Sequence, residues 1–358
     1  MAPTDRRKAV FARVMLGFSI VELMVAMAIS LLLLAGVIAI FASSKSSYET
    51  NDKLSRIQES GRYALDQFTY DIRSAGYEGC SRTSTYVSTS LKDNTSLLWN
   101  FRDGGPVSGY QYTGSATWSP AFPTGILPTG IGAPINGSDI LVLRLPVREA
   151  VPLQLTDKMA TVDSPLTVTD VPDAFKVGDI AMAYSCEAQA FFQVTGYGGG
   201  KIEHAKGGSS PGNDNSNLSY VFRKNAEVIP VNTVIYYIAQ STAGARATSL
   251  FRKVGTNNPE ELVEGVEQMQ IDYGVDNDGN NTVDAYVIAS SVTNWSRVFT
   301  IRVALLVRSI EAYGTDKDVQ TYTLLTGTTA VPVVAPNDRF YREVFTATVG
   351  IRNRVVTN

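Results

Sequence analysis

Asp276, Asp278, Asn280 and Asp284 stand at positions 1, 3, 5 and 9 of one loop, with Thr282 at position 7. Alternate side chains of such a loop converge, and with the position-7 carbonyl they form an oxygen cage suited to calcium. Calcium loops of this length usually carry glycine at position 6 and a bidentate glutamate at position 12. Here Asn281 and Val287 occupy those places. Asn tolerates the left-handed turn, but the bidentate ligand is missing, so any Ca²⁺ would be held weakly. The competing reading is an Asn/Asp-rich turn joining two strands.

Catalytic chemistry finds little support. His204 is the only histidine, which excludes histidine-paired triads and multi-histidine zinc centres. Gly196-Tyr-Gly-Gly-Gly-Lys201 has the glycines of a phosphate loop, but Ile202 stands where Ser or Thr is required and the spacing is short. The expectation is a protein that is not an enzyme.

A third chemical signal lies near the N-terminus. Phe18 to Ala42 is an apolar run whose only charge is Glu22. As a helix its 25 residues span about 37 Å, enough to cross a ~30 Å hydrocarbon layer with some tilt. A carboxylate inside such a segment is costly and needs a partner. Cutting after Gly17 would create one, the amine of Phe18, which Glu22 of the same or a neighbouring copy can meet. A secretory signal has a shorter apolar core and is cut behind it. Arg6, Arg7, Lys8 and Arg13 are expected to keep the leader in the cytoplasm and to place the chain after Ala42 on the other side of the membrane. There, the two cysteines, Cys80 and Cys186, point to a disulfide enclosing about 105 residues. The alternative is two separate buried thiols.

These groups need elements to position them. Leu54, Ile57, Gly61, Ala64, Leu65, Phe68 and Ile72 recur at helical spacing, with Arg56, Glu59, Arg62 and Asp66 on a wetter face. Gly76 suits the residue just past a helix end, predicting a stop near Ser74. Beyond Cys80, short β-branched or aromatic runs alternate with Gly, Pro and Asp: 139–145, 179–184, 190–195, 233–238, 249–254, 269–275, 284–289, 298–307, 320–325 and 344–349. A short turn is expected at Pro259–Gly265. The fold class is α+β: a long helix with a transmembrane half (18–42) and an amphipathic periplasmic half (43–76), packed on a mainly antiparallel domain (77–358). Two long loops interrupt it. Residues 100–137 hold Tyr110, Tyr112, Trp118 and Phe122, suiting either a folded excursion or a contact surface. The Gly/Ser/Asn tract 198–217 suits a disordered segment. Formal net charge is −3, and the leader (1–17) carries four of the basic residues against one acid, so the rest is more acidic still. That balance argues against nucleic acid as a partner.

Gly17-Phe18 followed by Glu22 resembles the class III signal of type IV pilins and pseudopilins. Asp71-Ile-Arg-Ser-Ala-Gly-Tyr77, Val177-Gly-Asp179, Leu262-Val-Glu-Gly-Val-Glu267, Tyr273-Gly-Val-Asp-Asn-Asp278, Trp295-Ser-Arg-Val298, Arg302-Val-Ala-Leu-Leu-Val-Arg308 and Val344-Phe-Thr-Ala-Thr348 resemble the PilW-type minor pilins within that superfamily. The resemblance implies removal of residues 1–17 by a prepilin peptidase and N-methylation of Phe18. It also implies a low-abundance subunit that starts fibre assembly near the pilus tip, among other minor pilins, the major pilin and a tip adhesin. Adhesion and twitching motility are the activities such fibres serve. A more distant resemblance is to the J-type pseudopilin of type II secretion, for which the chain is long. A third reading is a tip module whose aromatic loop binds an adhesin, a surface or DNA.

Overall fold

The computed structural model describes residues 17, 19–79, 86–130, 132–242, 247–312 and 316–352. It divides into two units, Met1–Lys53 and Leu54–Asn358. In the first, the helix that spans Ile20–Ser74 begins, and its apolar stretch is long enough to cross a membrane, with none of it buried. Ser19 starts it by accepting the Val21 N–H on its hydroxyl at 3.3 Å. Gly36 is helical like its neighbours.

In the second unit the amphipathic pattern does what its spacing requires. Ile57, Gly61, Ala64, Phe68 and Ile72 are buried, while Arg56, Glu59, Arg62 and Asp66 face solvent. Gly61 is a true close approach, since a Cβ there would stand 2.5 Å from the Phe345 ring. The helix ends at Ser74, and Gly76 (φ +65°) donates its N–H to the Arg144 carbonyl at 3.0 Å, turning the chain into the sheet.

Two sheets receive the helix. The larger runs in the order Tyr86–Thr89, Ala188–Gln193, Ile180–Tyr184, Glu227–Gln240, Ile140–Pro146, Val107–Gly114, Thr117–Ser119. Its central strand, Glu227–Gln240, is long enough to pair with Ile180–Tyr184 at one end and with Thr248–Val254 at the other. Every pairing is antiparallel except that of Tyr86–Thr89 with Ala188–Phe191. The smaller sheet runs Ala285–Ile288, Val266–Val275, Val298–Arg308, Arg342–Gly350. Ile57, Ala64, Phe68 and Ile72 join Leu141, Tyr236, Ile271 and Leu305 in one core, so the helix segment closes over both sheets. The fold is α+β.

Two expectations are corrected. Glu260–Glu264 is a strand paired with Thr248–Val254, where a turn was expected; the Pro and Gly that signal a turn only bracket it. The tract 198–217 is ordered around buried groups. Gly199 and Gly200, both at positive φ, form the two-residue turn of a hairpin between Gly196–Gly198 and Lys201–Glu203. The glycines thus serve backbone twist. Asn213, fully buried, accepts the Gln193 N–H and donates to the Gln193 and Ala205 carbonyls. His204 is 2% exposed, its Nε2 2.9 Å from the Ser164 carbonyl and its ring against Phe192. Loop 100–137 resolves into a folded excursion: the hairpin Val107–Gly114/Thr117–Ser119, with Trp118 donating to the Ser138 carbonyl at 2.9 Å.

Burial lowers the His204 pKa from its ordinary value. The unfolded chain protonates this group near pH 6.5, where the folded chain still resists, so its contribution holds above about pH 6.5 and is lost as pH falls. Asp139 works in the opposite sense. Burial lifts it to about 7, so the stability it adds is complete at acid pH and lost as pH rises through about 7. Comparing melting temperatures of the parent and His204→Gln from pH 8 to pH 5 isolates the histidine. The variant should lose less on acidification; parallel curves would remove His204 as the cause.

Candidate functional site

Glu22 lies in the first turn of the helix, exposed, where the helix dipole favours a carboxylate. Gly17, also exposed, lies outside the helix, which starts at Ile20. Phe18 lies outside the described residues, as does Cys80. Cys186 is exposed in the turn between Ile180–Tyr184 and Ala188–Gln193. Tyr77 and Tyr184 share a hydroxyl hydrogen bond of 2.9 Å, and Gly79 lies against the Tyr184 ring. Tyr77 and Gly79 thus lie against the strand Ile180–Tyr184, which leads into the turn that carries Cys186.

The Asp/Asn loop is assembled as the spacing requires. Asp276, Asp278 and Asp284 each bring a carboxylate oxygen within 4.8 Å of the others. Asn281 adopts φ +67° at the position where glycine is usual. The loop's own N–H groups already use these acids: Gly279 and Asn281 donate to Asp276 at 2.7 and 3.0 Å, and Asn277 donates to Asp284 at 2.7 Å. Those bonds hold the Asp276 carboxyl below its ordinary range. Asn280 spends its side-chain oxygen on the Thr282 N–H at 2.7 Å and on the Thr282 hydroxyl. The arrangement satisfies the turn and also leaves three carboxylates facing one another.

The structure adds a buried constellation that periodicity did not single out. Asp71, on the helix, is fully buried and takes Arg148 on one oxygen at 2.8 Å. Its other oxygen takes the Tyr236 hydroxyl at 2.7 Å and Arg252 Nε at 3.2 Å. Arg148 also donates to Gln67 at 2.7 Å and lies over the Tyr70 ring. Burial and the Asp71 charge raise the Tyr236 pKa, keeping its hydroxyl a donor. The signal was legible: Asp71 falls three residues after Phe68 and seven after Ala64, an acid on the apolar face. Asp139 plays a similar part between elements, accepting the Tyr112 and Ile271 N–H groups at 2.9 Å each and so tying the aromatic hairpin to the smaller sheet.

Surface concavities are shallow. One groove of about 820 Å³ follows the solvent face of the helix, bounded by Arg56, Glu59, Arg62 and Tyr63 on one side and Leu262 and Ile310 on the other. It mixes charge with apolar surface, a composition suited to packing against another protein. A cleft of about 340 Å³ lies beside Cys186, between Tyr184, Glu187, Tyr220 and Arg223.

Comparison with known proteins agrees with this picture in part. No curated protein and no solved structure matches the chain. Residues 235–353 match the family model described as Type IV Pilus-assembly protein W, PilW. That span runs from within the central strand through the Asp/Asn loop to the strand Arg342–Gly350. Over it the chain is similar to PilW, which supports a role in type IV pilus assembly.

Proposed function

We propose that this chain is a minor pilin: an inner-membrane subunit with a periplasmic domain that helps initiate a type IV pilus and remains near its tip. The observation that carries the reading is the PilW match at 235–353 in a chain whose N-terminal helix is long and apolar enough to span a membrane. A prepilin peptidase removes residues 1–17 and methylates Phe18. The apolar half then packs among the helices of other minor pilins and the major pilin, with Glu22 answering the new amine. The charged and apolar groove along Arg56–Tyr63 is the face offered to those neighbours, and a tip adhesin is the partner expected beyond them. The test is to delete the gene and count sheared surface pili with and without the chain restored. Normal pili in the deletion strain would overturn the proposal.

Within this reading Cys80 and Cys186 form a disulfide that ties the end of the helix to the sheet, supported by the contact of Tyr77 and Gly79 with Tyr184. On the chain-entropy model a loop this long adds about 4–5 kcal/mol. Non-reducing peptide mapping should yield one cross-linked peptide pair; two freely alkylated cysteines without reductant would refute it. Asp276, Asp278 and Asp284 bind Ca²⁺ weakly, supported by their convergence. With Ca²⁺ at about ten times its dissociation constant, mass action adds roughly 1.4 kcal/mol, or about 2–4 °C in melting temperature. The detergent-solubilised protein is melted in EGTA and in millimolar Ca²⁺, with Asp278→Ala as control. Identical melting in both leaves the loop a turn only.

A further inference from the structure

From Gly104 to Ser138 the chain has 35 residues and no acidic, basic or histidine side chain. At the 18% charged content of the whole chain, a stretch this long would carry about six charges. Surface segments usually hold the most charge, because Lys, Glu, Arg and Asp stay in water. Here residues 115–117 and 123–125 are exposed without any. Charge depleted and aromatics enriched is the composition of an interface core.

A groove of about 410 Å³ opens in this excursion, walled by Trp118, Phe122, Pro123, Leu127, Pro128 and Pro134. No residue lining it is charged. Its walls are fixed before any ligand arrives. The Trp118 indole is tied to the Ser138 carbonyl and stands edge-on to Tyr112 at 5.9 Å. Phe122 stands edge-on to Tyr110 at 4.9 Å, and the prolines lock their own backbone. A preformed groove spares its ligand the cost of ordering it. Strand alternation decides which way the groove faces. Leu141, Leu143, Tyr236 and Ile238 share a core with the helix. Their neighbours Ile140, Val142, Ile235 and Tyr237 form the core on which Trp118, Phe122 and Leu127 pack. Successive residues of a strand point to opposite faces, so the groove lies on the side of the larger sheet away from the helix. It therefore stays open when other subunits cover the helix.

We propose that this groove binds an uncharged, proline-rich segment of another protein in the polyproline II conformation. The wall chemistry selects that occupant. A charged ligand, nucleic acid included, would be desolvated against a surface with no charge to answer it. The polar side chains in the wall are Thr117, Thr124 and Thr129, and Thr117 already spends its hydroxyl on the Gly114 carbonyl at 2.6 Å. A sugar, with a hydroxyl on nearly every carbon, would leave most of them unanswered here. A proline-rich segment asks for the least. Proline has no N–H, and a polyproline II backbone makes no internal hydrogen bonds and keeps its carbonyls in water. Such segments dock in aromatic-lined grooves and lose little entropy, since their conformation exists beforehand.

The test uses the full chain in detergent, with decaproline, acetylated and amidated to remove its end charges, as the probe. Trp118 is the one tryptophan in the groove, Trp99 and Trp295 lying elsewhere. Decaproline should give saturable heat in calorimetry and a shift in tryptophan emission that Trp118→Phe abolishes. Phe122→Ala removes a wall, and Thr124→Lys brings a charge to an exposed position of the rim. Each should weaken binding about tenfold, the upper end of what one aromatic contact contributes. Thr124→Lys should do so with an unchanged melting temperature, which separates lost binding from lost folding. Tyr86→Ala removes an exposed aromatic from the strand at the opposite end of the larger sheet and should bind like the parent. A Gly/Ser peptide of the same length and the neutral sugar maltohexaose should not bind. The proposal fails if decaproline gives no binding at millimolar concentration, or if the Gly/Ser peptide or the sugar binds as well. It also fails if Thr124→Lys binds like the parent, or if Tyr86→Ala weakens binding equally.

Discussion

Glu22→Ala should leave the protein at normal level in the membrane and reduce sheared surface pili to background. The substitution removes a charge from an apolar segment, so insertion becomes easier while assembly loses one half of an ion pair. Removing one partner of a buried pair costs about 3–5 kcal/mol, because the other charge stays desolvated and unanswered. At about 1.4 kcal/mol per factor of ten, that loss lowers the assembly equilibrium by roughly two to three and a half orders of magnitude. Gly17→Val should also abolish pili, by a different route: the leader stays on, no free amine forms at Phe18, and the chain migrates as a precursor about 17 residues longer. The two variants separate the chemistry, one mature but unpaired, the other uncut. If either restored normal pilus numbers in a strain lacking the native copy, the processing and pairing proposed for Gly17, Phe18 and Glu22 would be wrong.

Much of the architecture was legible because it rests on local periodicity. The three- and four-residue recurrence from Ile57 to Ile72 marked the buried face, and Gly76 marked the helix end. The β-branched runs placed strands at 140–146, 180–184, 248–254, 298–308 and 342–350 within a few residues. What failed was composition read without partners. The Gly/Ser/Asn tract 198–217 looked unable to bury itself, yet Asn213 is buried because it accepts from the Gln193 N–H and donates to the Gln193 and Ala205 carbonyls, and His204 is buried against the Phe192 ring with its Nε2 on the Ser164 carbonyl. Strand Glu260–Glu264 was hidden because its pairing, with Thr248–Val254, is fixed by tertiary position. The Asp/Asn loop was found by spacing, down to the left-handed Asn281, but spacing could not show how many of its oxygens the backbone would use. Charge clusters assembled from distant segments were invisible. Arg342, fully buried in its side chain, is held by Glu267, Asp318 and Asp338 from three parts of the chain.

Asp71→Ala should be among the most destabilising single changes in the sheet unit, by about 3–5 kcal/mol. Its carboxylate is fully buried and answers Arg148, Arg252 and the Tyr236 hydroxyl, which come from three separate segments. Deleting it leaves two cations facing each other across the helix–sheet seam and the Tyr236 hydroxyl without an acceptor. Arg148 and Arg252 keep 30% and 15% of their side chains in contact with solvent, so hydration recovers part of the loss and the lower end of the range applies. Arg148→Ala should cost less, because Arg252 and Tyr236 still satisfy the acid. The surface pair Arg102–Asp103 provides the comparison: at 2.7 Å its ion contact is as short as that of Asp71, but both side chains are about half exposed. Asp103→Ala should therefore change stability by about 0–1 kcal/mol. Replacing Asp71, Arg148 and Arg252 together by apolar residues should recover much of the Asp71→Ala loss, since no buried charge is then left alone. The three tryptophans, Trp99, Trp118 and Trp295, all lie in the sheet unit and report its unfolding in urea by fluorescence. Equal effects of Asp71→Ala and Asp103→Ala would show that burial does not govern this network. A destabilisation confined to Asp71→Ala, relieved in the triple apolar variant, would assign the helix's grip on the sheet to a charge cluster laid over the apolar seam of Ile57, Ala64, Phe68 and Ile72.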